Sequence, residues 1–465
     1  MKILLTHGYF LKEDSNEQRI MMPYPPLGIL YISAYLDKHN IDNEIFDTTF
    51  LSKKELKEKL LNYKPDFLGL YVNLMTKINV LEIINFVKSK PKLSRTKIIL
   101  GGPDVRYNAE NFLASGADFL VIGEGEQSML ELVQTLQQNR FENLKNIAGI
   151  GFKGDNDKIC INVERPLIQS IDELPFPSRK KIDLKKYQEA WKKRHGYSAI
   201  SVSTMRGCPY TCRWCSRAVY GLTYRRRSAD KVVEELEWIN EEYNPDTIWF
   251  VDDVFTINYK WMNEFQSALE NKNLKIKYEC ITRADRMNKE IISILKNTGC
   301  FRVWIGAESG SQKVIDLMDR KVKVEQVREM ILLSKKYGIE AGTFIMLGYP
   351  GETEKDIEET ITHLKKSNPD HFTITVAYPI KGTEFYQEVE ATQLKSFDWK
   401  SGTDREREFK RTYNRIYYEF AVRRVVNEIN YYKDKTTNAH FSLQGINYKS
   451  KSVLAKAGML LTKYI

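Results

Sequence analysis

The chain has 465 residues, a formal net charge of +10 and a pI of about 9.0. This length predicts more than one domain, and 42% hydrophobic with 12% aromatic residues excludes an intrinsically disordered chain. The positive charge favours anionic partners without identifying one. Six cysteines are too few for a disulfide scaffold, and no run reaches the ~18 apolar residues of a membrane span. The start, MKILLTHGYF, lacks the longer apolar region of a signal peptide, so we predict a cytoplasmic protein.

The first predicted domain, residues 1–139, alternates short apolar strands with amphipathic helices. Strands are predicted at KILLTH, IDNEIFD, DFLGLYVN, TKIILGGP and ADFLVIGEGE. Helices are predicted at LGILYISAYLDKHN, KKELKEKLLNYKP, INVLEIINFVKSK and SMLELVQTLQQN. Such alternation is typical of an α/β fold with a doubly wound, Rossmann-like parallel sheet.

Four of these strands end in small or polar residues. In open parallel sheets, ligands bind beyond the carboxyl ends of the strands, and glycine lets a backbone approach a ligand closely. We therefore predict a ligand crevice at this edge, the alternative being a set of ordinary turns. The candidate cofactor-binding residues are Thr6, His7, Gly8, Tyr71, Asn73, Gly101, Gly102, Pro103, Gly123, Glu124, Gly125 and Glu126.

The rest of the chain divides into a connector, a barrel and a helical end. Residues 140–195 are predicted as a connector, with a hairpin around residues 154–157 and then a proline-punctuated basic linker. Residues 196–400 hold about six βα units, fewer than the eight that close a full barrel, so we predict an open partial (β/α)6 barrel. Its strands are predicted at YSAISVST, TIWFVDD, IKYECITR, CFRVWIGAES, EAGTFIMLGYPG and HFTITVAYP. Residues 401–465 are predicted to be mostly helical.

Three cysteines, Cys208, Cys212 and Cys215, follow the first barrel strand in the segment MRGCPYTCRWCSRAVYG. Their close spacing lets three thiolates converge on one small object, and thiolates favour soft metals and iron–sulfur clusters. A four-iron cluster normally takes four cysteines, so three leave one iron open to an exogenous ligand. Two alternatives are a zinc site with a distant fourth ligand and three structural thiols. The position at the mouth of a barrel favours a catalytic cluster.

The pattern CxxxCxΦC, with Trp214 before the last cysteine, resembles the signature of radical S-adenosylmethionine enzymes. The segments WFVDDVFTIN, RVWIGAESGSQKVIDLMDR and GTFIMLGYPGETEKDIEETI resemble successive strand motifs of one branch of that superfamily. PYPPLGILYISAYL, IILGGPDVR and VIGEGE are similar to the cobalamin-binding domain of the same branch. The branch includes the class B cobalamin-dependent methylases and the anaerobic magnesium-protoporphyrin ester cyclase. The resemblance covers residues 1 to about 400.

The resemblance implies a [4Fe–4S] cluster that cleaves S-adenosylmethionine and generates a 5′-deoxyadenosyl radical. Cys208, Cys212 and Cys215 would be its metal ligands and the catalytic residues. It implies further cofactor contacts: Trp214 beside the cluster and the adenine, Asp252 and Asp253 near the methionine amino group, Arg283 at the carboxylate, Glu308 at the ribose hydroxyls, and Met346 and Gly348 along the adenine. Many radical enzymes have a Gly-Glu pair where this chain has two aspartates. The alternatives are an ion pair between Arg283 and Glu308, and a core position for Met346.

The resemblance also implies cobalamin in the first domain. The chain lacks the DxHxxG stretch that supplies an axial histidine elsewhere, and His7 and His39 are poor substitutes. The implied reaction is methyl transfer to an unactivated carbon or to phosphorus of a small-molecule or lipid substrate. The alternative is a radical cyclisation, oxidation or carbon–carbon coupling without methylation. A flavodoxin or ferredoxin is the implied electron donor.

Two surface hypotheses remain from the sequence. The basic runs 178–181, 191–195 and 225–227 suggest an RNA-modifying enzyme, although nucleic acid is not the favoured partner because no separate RNA-binding module is found. The last segment, SVLAKAGMLLTKYI, places Val453, Leu454, Ala457, Leu460, Leu461 and Ile465 mostly on one helix face. We expect that face to pack on the barrel, the alternative being peripheral contact with a membrane.

Overall fold

The computed structural model describes residues 1–154, 158–394, 397–437 and 442–464. The strands are β1 (Ile3–His7), β2 (Glu44–Phe46), β3 (Phe67–Tyr71), β4 (Lys97–Gly101), β5 (Phe119–Val121), β6 (Ile150–Lys153), β7 (Ile159–Ile161), β8 (Ala199–Val202), β9 (Met205–Arg206), β10 (Arg225–Arg226), β11 (Thr247–Phe250), β12 (Tyr278–Thr282), β13 (Cys300–Glu308), β14 (Glu340–Leu347) and β15 (His371–Val376). The helices are α1 (Ser15–Ile20), α2 (Leu27–Lys38), α3 (Lys53–Tyr63), α4 (Lys77–Ser89), α5 (Ala109–Ala114), α6 (Gly125–Gln137), α7 (Leu184–His195), α8 (Ala229–Tyr243), α9 (Tyr259–Asn271), α10 (Lys289–Asn297), α11 (Gln312–Leu317), α12 (Val324–Lys336), α13 (Glu354–Ser367), α14 (Glu384–Glu390), α15 (Arg415–Thr437) and α16 (Leu443–Thr462).

The first sheet has the strand order β2-β1-β3-β4-β5-β6-β7. Its first five strands are parallel, as predicted for a doubly wound fold. Every residue of β1 is buried, because a parallel sheet is covered by helices on both faces. One apolar cluster joins the sheet to α3, α4 and α5, and a second joins it to α2 and α6.

The predicted connector contributes strands to this sheet. β6 and β7 pair antiparallel with each other, which confirms the hairpin, and β6 also pairs antiparallel with β5. Asp155, Asn156 and Asp157, at the predicted turn of the hairpin, lie outside the described residues. The pairing of β6 with β5 was not predicted, because antiparallel addition to a parallel sheet leaves no local signal in the sequence.

The second large sheet has the consecutive strand order β15-β14-β13-β12-β11-β8, which confirms a partial barrel. The pairs β12–β13, β13–β14 and β14–β15 are parallel. Each strand from β11 to β14 is followed by a helix that begins within about fifteen residues, as the alternation predicted. A separate two-stranded antiparallel sheet, β9 with β10, brackets the cysteine loop in sequence and was not predicted.

Contacts within the chain define two units whose bounds differ from the predicted domains. The first unit comprises residues 1–208, 217–248 and 398–403, and the second comprises residues 209–216, 249–397 and 404–465. The connector and β8 thus belong to the first unit. The short return segment 398–403 belongs there too, because the Trp399 ring lies 4.8 Å from the Phe112 ring in an edge-to-face contact.

Candidate functional site

The cysteine loop leaves β9 through Gly207, which has a φ of 84°. A Cβ at this position would lie 2.3 Å from the Thr223 Oγ1, so the local turn requires glycine. Cys208 and Cys212 are buried, and Cys215 is half-buried. Burial of two thiols in an irregular loop suits metal ligation, in which the protein shields a charged centre from water.

Two arginines approach the sulfur of Cys212 within the second unit. Arg283 Nη1 lies 3.6 Å and Arg320 Nη1 lies 3.7 Å from the Cys212 Sγ. Both guanidinium groups are buried, so they place positive charge beside a sulfur that is a candidate iron ligand. Arg320 was not predicted, because a single arginine in the segment LMDRKV has no distinguishing pattern.

The donor chemistry therefore fits an iron–sulfur cluster at Cys212. Within the described ranges, no three His, Cys, Asp or Glu side chains are grouped closely enough to form a ready-made metal site. The joint assignment of Cys208, Cys212 and Cys215 to one cluster thus stays a prediction from their motif.

Arg283 follows β12 and is held by several neighbours. Its Nε lies 2.8 Å from Asp285 Oδ1, its Nη2 donates to the Arg320 carbonyl at 2.7 Å, and its guanidinium carbon lies 3.7 Å from the Tyr210 ring centroid. Arg283 thus forms its ion pair with Asp285, whereas the alternative from the sequence had Glu308 as its partner. The contact of Arg283 with a methionine carboxylate stays a prediction.

Glu308 ends β13 in a left-handed conformation with a φ of 65°. A register shift in the pairing of β13 with β14 falls next to it, and strained backbone of this kind is common at ligand sites. Burial raises the pKa of Glu308, and its Oε1 lies 3.7 Å from Arg320 Nη2. The side chain of Glu308 thus lies at the end of β13, and its contact with the ribose hydroxyls stays a prediction.

Trp214 and Met346 come together in one apolar cluster. Its buried members are Val314, Met318, Met346, Tyr349, Ala377, Phe385, Val389 and Phe409, with Trp214 packed against them. Met346 is therefore a core residue, and it also lies in the same cluster as Trp214, which is predicted to contact the adenine. Both the core position and the adenine contact predicted for Met346 are compatible with this placement. The Arg320 guanidinium carbon also lies 5.7 Å from the Trp214 ring centroid, so Arg320 contacts both this apolar cluster and the Cys212 sulfur.

Gly348 follows β14 with a φ of 82°, and its N–H donates to Glu352 Oε2 at 2.5 Å. Glu352 is fully buried, and burial together with the nearby Asp356 raises its pKa to about 8. Glu352, in the segment GYPGET, was not predicted as a site residue, because burial of a glutamate is not visible in sequence.

Asp252 and Asp253 follow β11, as predicted. Asp252 is buried, whereas the side chain of Asp253 reaches solvent. Partial desolvation at the strand end and the adjacent Asp252 carboxylate raise the pKa of Asp253 to about 6. Two neighbouring carboxyl groups suit an ammonium ligand, and their contact with the methionine amino group stays a prediction.

The first unit contains a cavity of about 260 Å³ at the carboxyl edge of its sheet. Of the predicted residues, it is lined by Tyr71, Gly101, Gly102, Pro103, Gly123, Glu124, Gly125 and Glu126. Gly102 has a φ of 119°, and a Cβ there would lie 2.3 Å from the Val72 carbonyl oxygen. Val219 and Tyr220 also line the cavity and were missed, because they lie about a hundred residues away in sequence.

A second cavity of about 440 Å³ is lined by His7, Asn73 and Tyr71, the last of which also lines the first cavity. Thr6 and Gly8 line neither of the two. The Thr6 hydroxyl donates to the Phe46 carbonyl at 2.6 Å, which is a structural role.

Both ring nitrogens of His7 are occupied within the protein. Its Nε2 lies 2.9 Å from Asp47 Oδ1, and the Tyr9 N–H donates to its Nδ1 at 3.1 Å. Burial opposes ionisation of Asp47, but hydrogen bonds from His7 and Tyr187 keep its pKa below the usual value. His7 therefore has no lone pair available for cobalt, in agreement with the expectation that it is a poor axial ligand.

Three arginines of two basic runs are buried in ion pairs. Arg225 pairs with Glu124 at 2.8 Å and Arg179 pairs with Glu235 at 2.5 Å, while Arg227 also contacts Glu235. These guanidinium groups serve the fold of the first unit and are not exposed to an RNA phosphate. Glu124 lines the first cavity, but its carboxylate already accepts hydrogen bonds from Arg206 and Arg225.

Comparisons with known proteins cover both units. Residues 202–364 match the Radical SAM superfamily, and residues 19–133 match the B12 binding domain. An uncharacterized methyltransferase of Pyrococcus horikoshii is 30% identical over 388 residues, which is 82% of each chain. The anaerobic magnesium-protoporphyrin IX monomethyl ester cyclase of Rubrivivax gelatinosus is 26% identical, over 86% of this chain and 72% of the relative.

A solved structure shares the fold. The cobalamin-dependent S-adenosylmethionine radical enzyme OxsB, with aqua-cobalamin bound, superposes with a TM-score of 0.74 at 18% identity, over 100% of this chain and 72% of that one. None of the described helices is sufficiently long and apolar to cross a membrane.

Proposed function

Because the chain belongs to the cobalamin-binding branch of the radical S-adenosylmethionine superfamily, we propose that it methylates an unactivated carbon or a phosphorus atom of a small-molecule or lipid substrate. Its cofactors are a [4Fe–4S] cluster, S-adenosylmethionine and cobalamin. The observation that carries the proposal is the match to the uncharacterized methyltransferase of Pyrococcus horikoshii over 82% of the chain, which reaches both cofactor domains.

When bound, these cofactors supply reductive cleavage of S-adenosylmethionine, hydrogen abstraction from the substrate and a transferable methyl group. The side chains of Cys208, Cys212 and Cys215 would hold the cluster. Arg283 and Arg320 stabilise negative charge on the sulfur of Cys212. The apolar cluster around Trp214 excludes water from the same region, which protects a radical from unproductive reactions.

The two cavities of the first unit share Gly28, Ile29 and Tyr71, so they lie side by side at the same part of the unit. Glycines at the strand ends let the backbone come close to a ligand. Since Asp47 and Tyr9 occupy the nitrogens of His7, we expect cobalamin to bind without a protein imidazole on cobalt. Paramagnetic resonance of the cobalt(II) form tests this, because an imidazole ligand would add nitrogen splitting to the signal.

The reaction is tested with anaerobically reconstituted protein, S-adenosylmethionine carrying a deuterated methyl group, and a small-molecule and lipid extract of the source cells. A flavodoxin or ferredoxin, or a chemical reductant in its place, supplies electrons. We expect a product that carries the labelled methyl group, absent when Cys212→Ala replaces the wild type. Consumption of an extract component without incorporation of the label would contradict methylation.

A second candidate is a radical cyclisation, oxidation or coupling without methyl transfer. It is favoured by the similarity to the magnesium-protoporphyrin ester cyclase, which extends over 86% of this chain. The same labelled assay separates the two, since the second candidate forms 5′-deoxyadenosine and an unlabelled product.

A further inference from the structure

The last helix, α16, packs against α15 through unusually small side chains. The buried residues of α16 are Gly445, Ser452, Ala455, Gly458, Met459 and Thr462. A Cβ at Gly458 would lie 2.5 Å from the Phe420 ring, so the two helices approach closely there. Glu428 on α15 accepts from the Ser452 hydroxyl at 2.7 Å and from Lys449 Nζ at 3.2 Å, which fixes the rotation of α16.

The opposite face of α16 exposes large apolar side chains. Their exposed fractions are 88% for Leu443, 50% for Ile446, 57% for Val453, 69% for Leu454, 55% for Leu460, 78% for Leu461 and 90% for Tyr464. At 100° per residue the positions within α16 fall within one stripe, directly opposite the small residues, and Tyr464 follows the end of the helix. The prediction that this apolar face packs on the barrel is therefore wrong for its described residues. The face with small residues packs instead, because small side chains let two helices approach closely. Ile465, which the prediction included, lies outside the described residues.

The charged residues from 443 to 464 are all lysines, of which Lys449 pairs with Glu428 on α15 and Lys463 pairs with Glu354 on α13. Lys449, Lys456 and Lys463 recur every seven residues along one flank, and Lys451 lies on the other flank. Residues 443–464 contain no Asp or Glu. Lys451 and Lys456 are exposed. An apolar stripe with lysines on both sides is the pattern of a helix that lies in the interface of an anionic membrane.

We propose that the exposed stripe of α16 binds the surface of a membrane that contains anionic lipids, with the helix parallel to the membrane plane. The 20 residues of α16 give an apolar contact about 30 Å long. A second copy of the chain fits this surface less well, because a two-fold contact between stripes would bring lysine flanks together with no carboxylate on α16 to oppose them.

The test is flotation of the full chain with vesicles of phosphatidylcholine alone or with one third phosphatidylglycerol. We expect at least tenfold more bound protein with the anionic vesicles, and a marked loss of binding at high salt. The double variant Leu454→Ser/Leu461→Ser should reduce binding at least tenfold, and Lys451→Glu/Lys456→Glu should remove the preference for anionic lipid. The matched control is Leu332→Ser, which changes a 49% exposed leucine on α12 and should leave binding unchanged.

Three results would overturn the proposal. The first is wild-type protein that does not float with either vesicle, and the second is equal binding by the wild type and the double leucine variant. The third is a lipid-free dimer in sedimentation that the double leucine variant converts to a monomer, because the stripe would then be an interface between copies. None of these outcomes depends on the methylation chemistry.

Discussion

Arg320 links the cluster loop to the rest of the candidate site. It lies near the Cys212 sulfur, donates to the Gly306 carbonyl at 2.9 Å and faces both Glu308 and the Trp214 ring. A buried cation in this position lowers the cost of holding a thiolate away from water. It acts through Cys212 and is therefore a positioning residue.

Replacing Arg320 with Met should weaken cluster binding while the fold is kept. Outer partners of metal ligands typically contribute a factor of about 10–100 in metal affinity or activity, so we expect a loss of that size in 5′-deoxyadenosine formation. Iron and sulfide content and the absorption of the reconstituted cluster supply a readout independent of turnover. Arg328→Met is the control, because Arg328 pairs with the exposed Glu325 on α12. Full cluster content and unchanged cleavage in Arg320→Met would refute this role.

Glu352 makes a pH-dependent contribution to stability. Its pKa in the folded protein is raised to about 8, against about 4.3 in an unfolded chain, so the folded state holds the proton more tightly between these values. The contribution of Glu352 to the free energy of unfolding is therefore full below about pH 4 and falls as the pH rises towards 8.

Glu352→Gln keeps an acceptor for the Gly348 N–H and cannot ionise. We expect the melting temperature of the variant, relative to the wild type, to increase between pH 5 and pH 8. Glu325→Gln, at a 76% exposed position, should show no such change. A temperature difference that is the same at both pH values would show that Glu352 does not carry this dependence.

At the scale of elements, the strand–helix alternation was sufficient to predict both parallel sheets. Apolar runs such as KILLTH and TIWF are local signals, and right-handed crossovers leave few ways to order them. The two-residue strands β9 and β10 escaped notice because their arginines look like surface residues. Arg225 is buried only because Glu124, a hundred residues earlier, neutralises it. Likewise, periodicity gave α16 an apolar face but could not tell which face packs against α15.

The turn after β4 gives a sharp test of the first cavity. Gly102→Ala places a Cβ 2.3 Å from the Val72 carbonyl at a φ of 119°, so we expect destabilisation of about 2 kcal/mol or more and loss of cobalamin on desalting. Gly116→Ala is the matched control, because Gly116 also has a positive φ, of 108°, but lines neither cavity of the first unit. Equal cobalamin retention by the two variants would contradict a strand-end crevice.

At the scale of the whole molecule, two cofactor domains in one chain define what the protein does. The pattern CxxxCxΦC and the strand-end glycines pointed to both cofactors from the sequence, because metal ligands and tight turns require particular residues. The neighbours that tune these sites, such as Arg320 for Cys212 and Tyr220 for the first cavity, could not be predicted, since only the folded chain brings them together. The lysines beside the apolar stripe of α16 contribute part of the net charge of +10.

The central claim is that this chain is a methyltransferase that depends on cobalamin and S-adenosylmethionine. It is tested most directly by reducing cobalamin-loaded protein anaerobically, adding S-adenosylmethionine without substrate, and measuring S-adenosylhomocysteine against bound cobalamin. The account predicts about one equivalent of S-adenosylhomocysteine per cobalamin, and none from protein reconstituted with the cluster alone. Formation of 5′-deoxyadenosine from fully loaded protein with no S-adenosylhomocysteine would contradict it.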